Sequence, residues 1–88
     1  MPRTLTPPVY IGDTVYSACV PVRGIVEEPF ITHWKVEALR YDGEEWYVEN
    51  ADGDAFEFGE PFAFPNFEDA ADYVYRMTGV VVTEAYDD

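Results

Sequence analysis

The stretch "WKVEALRYDGEEWYVENADGDAFEFG", residues 34–59, decides the fold. Two Asp-Gly pairs, Asp42-Gly43 and Asp52-Gly53, divide it into three runs rich in aromatic and β-branched residues. Such runs broken by Asp-Gly read as strands joined by hairpin turns. Strands are expected over 30–40, 44–50 and 54–59. Side-chain parity then sets their register. A two-residue loop at each joint would put Trp46 and Val48 on the face opposite Val36, Phe56 and Phe58. A three-residue loop with Gly in the left-handed conformation removes that conflict. Val36 then faces Val48, and Val48 faces Phe56. The expected core face is Trp34, Val36, Ala38, Trp46, Val48, Phe56 and Phe58, with Trp46 buried. The other face carries Lys35, Glu37, Leu39, Glu45, Tyr47, Glu49 and Glu57, with Tyr47 exposed. On this register Tyr47 lies between Glu37 and Glu57, and Lys35 pairs with Glu49.

The flanking segments add a strand before the meander and a helix after it. In "IGDTVYSACVPV" (11–22) a Gly-Asp turn leads into a strand pattern, with Tyr16, Ala18, Val20 and Val22 on one face. Pro21 donates no ladder hydrogen bond and marks the end of pairing. "RGIVEEP" (23–29) reads as a connection with strand character at Ile25 and Val26. Within "PFAFPNFEDAADYVYRMTG" (61–79), Phe62 and Phe64 alternate as a short strand or packed loop. Pro65 stops that alternation, and Asn66 is a good N-cap. Glu68 and Asp69 stand in the first turn, where the helix dipole favours them. Phe67, Ala70, Ala71, Val74 and Met77 or Thr78 follow helical spacing as the buried stripe. Glu68, Asp69, Asp72, Tyr73 and Arg76 are expected to face water, and Gly79 to cap the C-terminus. "VVVT" (80–83) reads as a last strand or an apolar tail, and "EAYDD" (84–88) as mobile.

The chain of 88 residues fits one domain, 1–88, with 1–10 and 84–88 expected to be flexible. The fold class is α+β. A small antiparallel β-meander of four or five strands, curled toward an SH3-like barrel, would carry one C-terminal amphipathic helix. Aromatics at 17% compensate for the thin core that a domain of this size can bury. The single cysteine, Cys19, excludes an internal disulfide and suits a reducing compartment. No apolar run approaches the length of a membrane span, and the N-terminus shows no signal-peptide pattern.

The net charge is −13 and its distribution is lopsided. Residues 1–40 hold four acids and four bases. Residues 41–88 hold fourteen acids and only Arg76. Direct nucleic-acid binding is therefore disfavoured, because phosphate contacts need clustered Lys and Arg. An anionic membrane would repel this surface. A basic protein partner is what such a field attracts.

Catalytic patterns are sparse. The one histidine, His33, falls inside a strand pattern and reads as structural. No nucleophile–base pair can be assembled from the pattern. "NADGDAFEFGE" invites an EF-hand comparison. With Asn50, Asp52 and Asp54 at loop positions one, three and five, however, Ala55 stands where Gly is needed and Pro61 where Glu is needed. No enzymatic activity, cofactor or metal is expected.

"IGDTVY" (11–16), "WKVEALRYDGEEWYV" (34–48) and "FEFGEPFAFPNFEDA" (56–70) together resemble a group of small proteins from phages and prophages of Gram-positive bacteria. The shared features are a Gly-Asp-x-Val-Tyr opening, a β-meander, a Phe-Gly step and a C-terminal Glu-x-Ala helix. The resemblance spans roughly residues 11–77, and "GVVVTEAYDD" (79–88) departs from it. It implies a small β-barrel-like or α+β module carried by a mobile element, and it assigns no active site. Phage proteins of this size and acidity are similar to anti-CRISPR inhibitors. By that analogy, the chain would bind a basic nucleic-acid-binding groove of a host defence protein, with a CRISPR-Cas effector as the leading candidate. It would act as a nucleic-acid mimic in the cytoplasm of the host cell, as a monomer or small homo-oligomer. The candidate partner-binding residues are Glu45, Tyr47, Glu49 and Glu57 on the sheet. Asp42, Asp52 and Asp54 would act at the turns, and Glu68, Asp69, Asp72 and Tyr73 on the helix. The alternative is a non-catalytic structural or adaptor module of a phage, acidic for solubility.

Overall fold

A computed structural model describes residues 6–21, 28–59 and 62–87. The elements run β1 (Thr14–Cys19), β2 (Phe30–Lys35), β3 (Ala38–Tyr41), β4 (Trp46–Glu49), β5 (Ala55–Glu57), α1 (Phe67–Thr78) and β6 (Ala85–Asp87). The fold is α+β, with antiparallel-rich sheets and one helix among the described residues. The strands form two separate three-stranded sheets, ordered β1-β2-β6 and β3-β4-β5. Neither sheet closes, so the expected SH3-like barrel does not form. The strand signals at Val22, Ile25 and Val26 lie outside the described residues, as do residues 1–5 and Asp88.

The expected single strand over 30–40 divides at Val36–Glu37, where the chain changes partner. The Val36 amide donates to the Asp13 carbonyl at 2.9 Å, still tied to the start of β1. The next amide, Glu37, donates to the Glu49 carbonyl at 2.8 Å and opens the second sheet. The bend shifts parity. Trp34 and Val36 point into the core before it, and Leu39 points in after it. Leu39, not Val36, therefore lies opposite Val48, and Arg40 lies opposite Tyr47.

The two hairpin joints differ. Between β3 and β4 the Asp42 amide donates to the Glu45 carbonyl at 3.2 Å, which leaves Gly43 and Glu44 at the tip. That is an even loop in place of the expected three residues. Asp42 favours it, because its Oδ1 accepts from the Glu44 and Glu45 amides at 2.9 and 2.8 Å. Gly43 takes a φ of 103°, which an L side chain at the tip would resist. Between β4 and β5 the expected three-residue tip forms. The Asn50 amide donates to the Asp54 carbonyl at 3.1 Å, Gly53 has a φ of 84°, and Val48 faces Phe56.

Two apolar clusters hold the layers together. One joins the sheets through Val9, Val15, Trp34, Val36, Val48 and Ala63, with Leu39, Phe56 and Phe58 packed against them. Val9 thus lies in the core, although residues 1–10 read as flexible. Trp46 is half-buried and rests on Tyr41, with ring centroids 5.1 Å apart. Ala38 turns to the outer face. The second cluster, Ile31, Phe64, Ala70 and Val74, seats α1 on β1 and β2, with Tyr16, Ala18 and Val20 beneath it. Phe64 also bridges to Tyr16 and extends the β1 edge.

The helix follows its caps. Asn66 Oδ1 accepts from the Asp69 amide at 2.9 Å, and Gly79, at φ 76°, donates to the Tyr75 carbonyl at 2.8 Å. Met77 is 57% exposed, so Thr78 completes the inner stripe and bonds the Val74 carbonyl. Tyr73, expected to face water, is half-buried against Phe64 at 5.7 Å between centroids. The last strand is not 80–83. It is Ala85–Asp87, from the segment that read as mobile, and it lies parallel to β2 with Ile31 opposite Ala85. Parallel pairing across this separation becomes available because α1 forms the crossover connection.

Candidate functional site

The outward face of the β3-β4-β5 sheet collects Arg40, Glu45, Tyr47, Glu49 and Glu57 by strand alternation. Tyr47 occupies its centre, half-buried. Its neighbours across the strands are Arg40 and Glu57, not the expected Glu37 and Glu57. The Arg40 guanidinium carbon stands 5.3 Å from the Tyr47 ring centroid, in cation–π range. Lys35 does not pair with Glu49. Lys35 lies opposite Thr14 in the other sheet, and Glu49 faces Ala38 and Ala55.

The charges on this face act on one another. Glu45 has its pKa raised above 4.5, first because the Glu57 carboxyl beside it hydrogen-bonds the protonated form, then by the Glu57 charge. Asp42 is lowered below 3.8, chiefly because the Glu45 and Glu44 amides donate to its carboxylate. The Tyr47 hydroxyl is raised above 10, first by the Asp42 charge, with Glu57 and Glu45 adding to it. Asp42, Glu44, Glu45, Tyr47 and Glu57 are thus one electrostatic unit at the Gly43 end of the hairpin.

The signs oppose each other. Glu45 favours the folded state fully below pH 4.5, and that contribution fades as pH rises through its elevated folded value. Asp42 favours the folded state above pH 3.8, and its contribution fades as pH falls through its depressed folded value. A carboxyl-detected NMR titration should therefore show Glu45 protonating above pH 4.5 and Asp42 below pH 3.8. Glu57→Gln should move Glu45 back toward 4.5 and leave Asp42 in place. A Glu45 midpoint unchanged by that substitution would contradict the pairing.

The remaining candidates do not join this unit. Asp52 and Asp54 sit in the turn at the far end of β4, about 13 Å away at the usual rise of a four-residue strand. Their amides donate to Asn50 Oδ1 at 3.0 Å, and both residues are exposed. Glu68, Asp69, Asp72 and Tyr73 belong to α1, which packs on the other sheet. Asp69 serves the helix start with Asn66, and Asp72 accepts from Arg76 Nε at 2.9 Å. Asp69 and Asp72 thus each have a partner within α1 or its cap, and Glu68 stands in the first turn. Sequence reasoning missed Arg40 on the sheet face and Glu44 at the hairpin tip. The missing signal for Arg40 was the parity shift at Val36–Glu37. Glu44 could have been found from the Asp-Gly turn itself.

His33 lies on the helix-facing side of the other sheet. Tyr16 is 6.3 Å away between ring centroids, and Asp87 Oδ1 lies 3.9 Å from its Nδ1. Among the described residues no group of three or more His, Cys, Asp or Glu side chains is placed to hold a metal ion. No described helix is long and apolar enough to cross a membrane. The β3-β4-β5 face can accept charge-assisted hydrogen bonds from guanidinium and ammonium groups, and it offers Tyr47 as a partly desolvated contact.

No family model, no curated protein and no solved structure matches this chain.

Proposed function

We propose that this chain is a non-catalytic, stoichiometric inhibitor carried by a phage or prophage. Its β3-β4-β5 face docks on a Lys/Arg-rich, nucleic-acid-binding groove of a host defence protein and blocks it in the bacterial cytoplasm. A CRISPR-Cas effector is the leading candidate. The observation that supports this most is the placing of Glu45 and Glu57 side by side on an outward face, close enough to raise the Glu45 pKa. Like charges held together on a sheet are mildly destabilising, and a basic partner relieves them. Asp42 and Glu44 extend the charge, and Tyr47 provides the contact that adds affinity to steering.

A second reading, an adaptor module acidic for solubility, is favoured by a different observation. Phe30 at the start of β2, Val81 and Tyr86 are exposed around one groove, where an apolar contact would dominate. Ionic strength separates the two. With a partner captured from host lysate, mimicry requires an association rate that falls steeply with salt. The Debye length shrinks from about 10 Å at 0.1 M to about 3 Å at 1 M. The partner's guide or target strand should compete with the protein for one surface. A rate flat across that salt range, or simultaneous binding of protein and nucleic acid, would sink the mimicry reading.

A further inference from the structure

The face of the β1-β2-β6 sheet that carries Phe30, Thr32 and Tyr86 is the side turned away from α1, because Ile31 and Ala85 point into the helix cluster. Trp34, further along β2, is covered by the second sheet. Phe30 and Tyr86 are not covered. Between the start of β2 and the 80–87 segment, a groove of ≈ 600 Å³ is lined by Phe30, Val81 and Tyr86, with Glu28, Glu84 and Asp87 also contributing. No Lys or Arg is among its described lining residues. Clustered exposed apolar side chains with a polar rim mark a docking site more often than an accident of folding.

We propose that this groove binds an extended peptide segment in which apolar side chains alternate with Lys or Arg. Three features select that occupant. Among the described lining residues the rim carries Glu28 and Glu84 and no cation, so flanking basic side chains are matched in charge. The floor offers room for an apolar side chain among Phe30, Val81 and Tyr86. Among the described strands β6 lies at the edge of its sheet, and an edge presents outward backbone groups to a chain lying beside it. A second copy of this protein is disfavoured, since it would bring another net −13 and the same acidic rim. The inference does not rest on the acidic β3-β4-β5 face, which belongs to the other sheet.

The test uses two fluorescein-labelled heptapeptides in anisotropy titrations at one salt concentration. In the first, four lysines alternate with Val, Leu and Val. In the second, the same lysines alternate with Gly, Ser and Gly. General attraction to an acidic protein acts on both equally, so the ratio of their affinities reports the groove. The apolar peptide should bind about tenfold or more tightly than its partner, the yield expected of one well-buried aliphatic side chain. Val81→Ser and Tyr86→Ser should each bring the ratio toward one. Glu45→Lys with Glu57→Lys should weaken both peptides and leave the ratio unchanged. Val81 is 72% exposed and lies outside any strand, so its variant should stay folded and decides the matter even if Tyr86→Ser loosens β6. A ratio near one in the native protein overturns the proposal, as does a ratio that survives Val81→Ser. A sedimentation mass doubled in the native protein and single in Val81→Ser would assign the groove to a second copy and overturn it too.

Discussion

Trp34→Ala should cost about 3–5 kcal/mol, the range for losing a large buried aromatic. A domain of this length holds roughly 4–13 kcal/mol in total at ordinary per-residue values, so the variant loses a large share of its stability and its unfolding midpoint should fall steeply. Trp34 is 7% exposed and joins the two sheets. It stands on β2, its ring centroid lies 5.5 Å from that of Phe56 on β5, and its Nε1 donates to Ser17 Oγ at 2.9 Å. Removing it opens a cavity between the sheets and takes away the hydrogen bond that Ser17 Oγ accepts, although that hydroxyl still donates to the Phe62 carbonyl. Trp46→Ala should cost much less, about 1–2 kcal/mol, because Trp46 is half-buried and its main loss is the stacking with Tyr41. Chemical denaturation of both variants gives the ranking. Equal losses, or a larger loss for Trp46, would mean that the joint between the sheets lies elsewhere.

That ranking reverses the emphasis of the sequence, where Trp46 stood at the middle of the expected core face. The reason is local. Parity arguments propagate along a strand only while the strand stays whole, and the run 30–40 carries no Gly or Pro to announce a break. The division at Val36–Glu37 comes from competition between Asp13 and Glu49 for successive amides, and both partners are distant in sequence. One undetected bend moved Leu39 inward, Arg40 outward and Glu37 away from Tyr47. Where local chemistry dictated geometry, reading was easier. Asn50 and Gly53 specify their turn, and Val48 meets Phe56 as parity requires. Asn66 and Gly79 bound the helix. β6 had no such signal. Its three residues are partly acidic, and they pair only because α1 returns the chain beside β2. The candidate face was legible in the same uneven way. Its abundance of acid is plain in composition, but which acids stand together depends on register, and the helix acids stand on an element that packs against the other sheet.

The largest expected effect on binding comes from reversing the pair at the centre of that face. Glu45→Lys with Glu57→Lys places two cations where the proposed contact needs anions. Desolvated charge pairs carry a few kcal/mol each, and like-charge contacts oppose docking, so affinity for the captured partner should fall by several orders of magnitude. The comparison is Glu68→Lys with Asp72→Lys, which changes net charge by the same amount on α1. Those two residues belong to α1, which packs on the other sheet, and their loss should weaken only the helix start and the bond to Arg76. Stability should move the other way from binding. The first variant keeps a like-charge pair but sets it, now cationic, beside Asp42 and Glu44, whose charges also act on position 45, so it should melt close to the native protein, whereas the second should melt slightly lower. An inhibitor that loses binding without losing stability has been changed at its contact surface. Equal loss of binding in both variants would show that only total charge matters, and the sheet face would not be the site. Unchanged binding in both would leave the acidity to solubility, and the adaptor reading would replace mimicry.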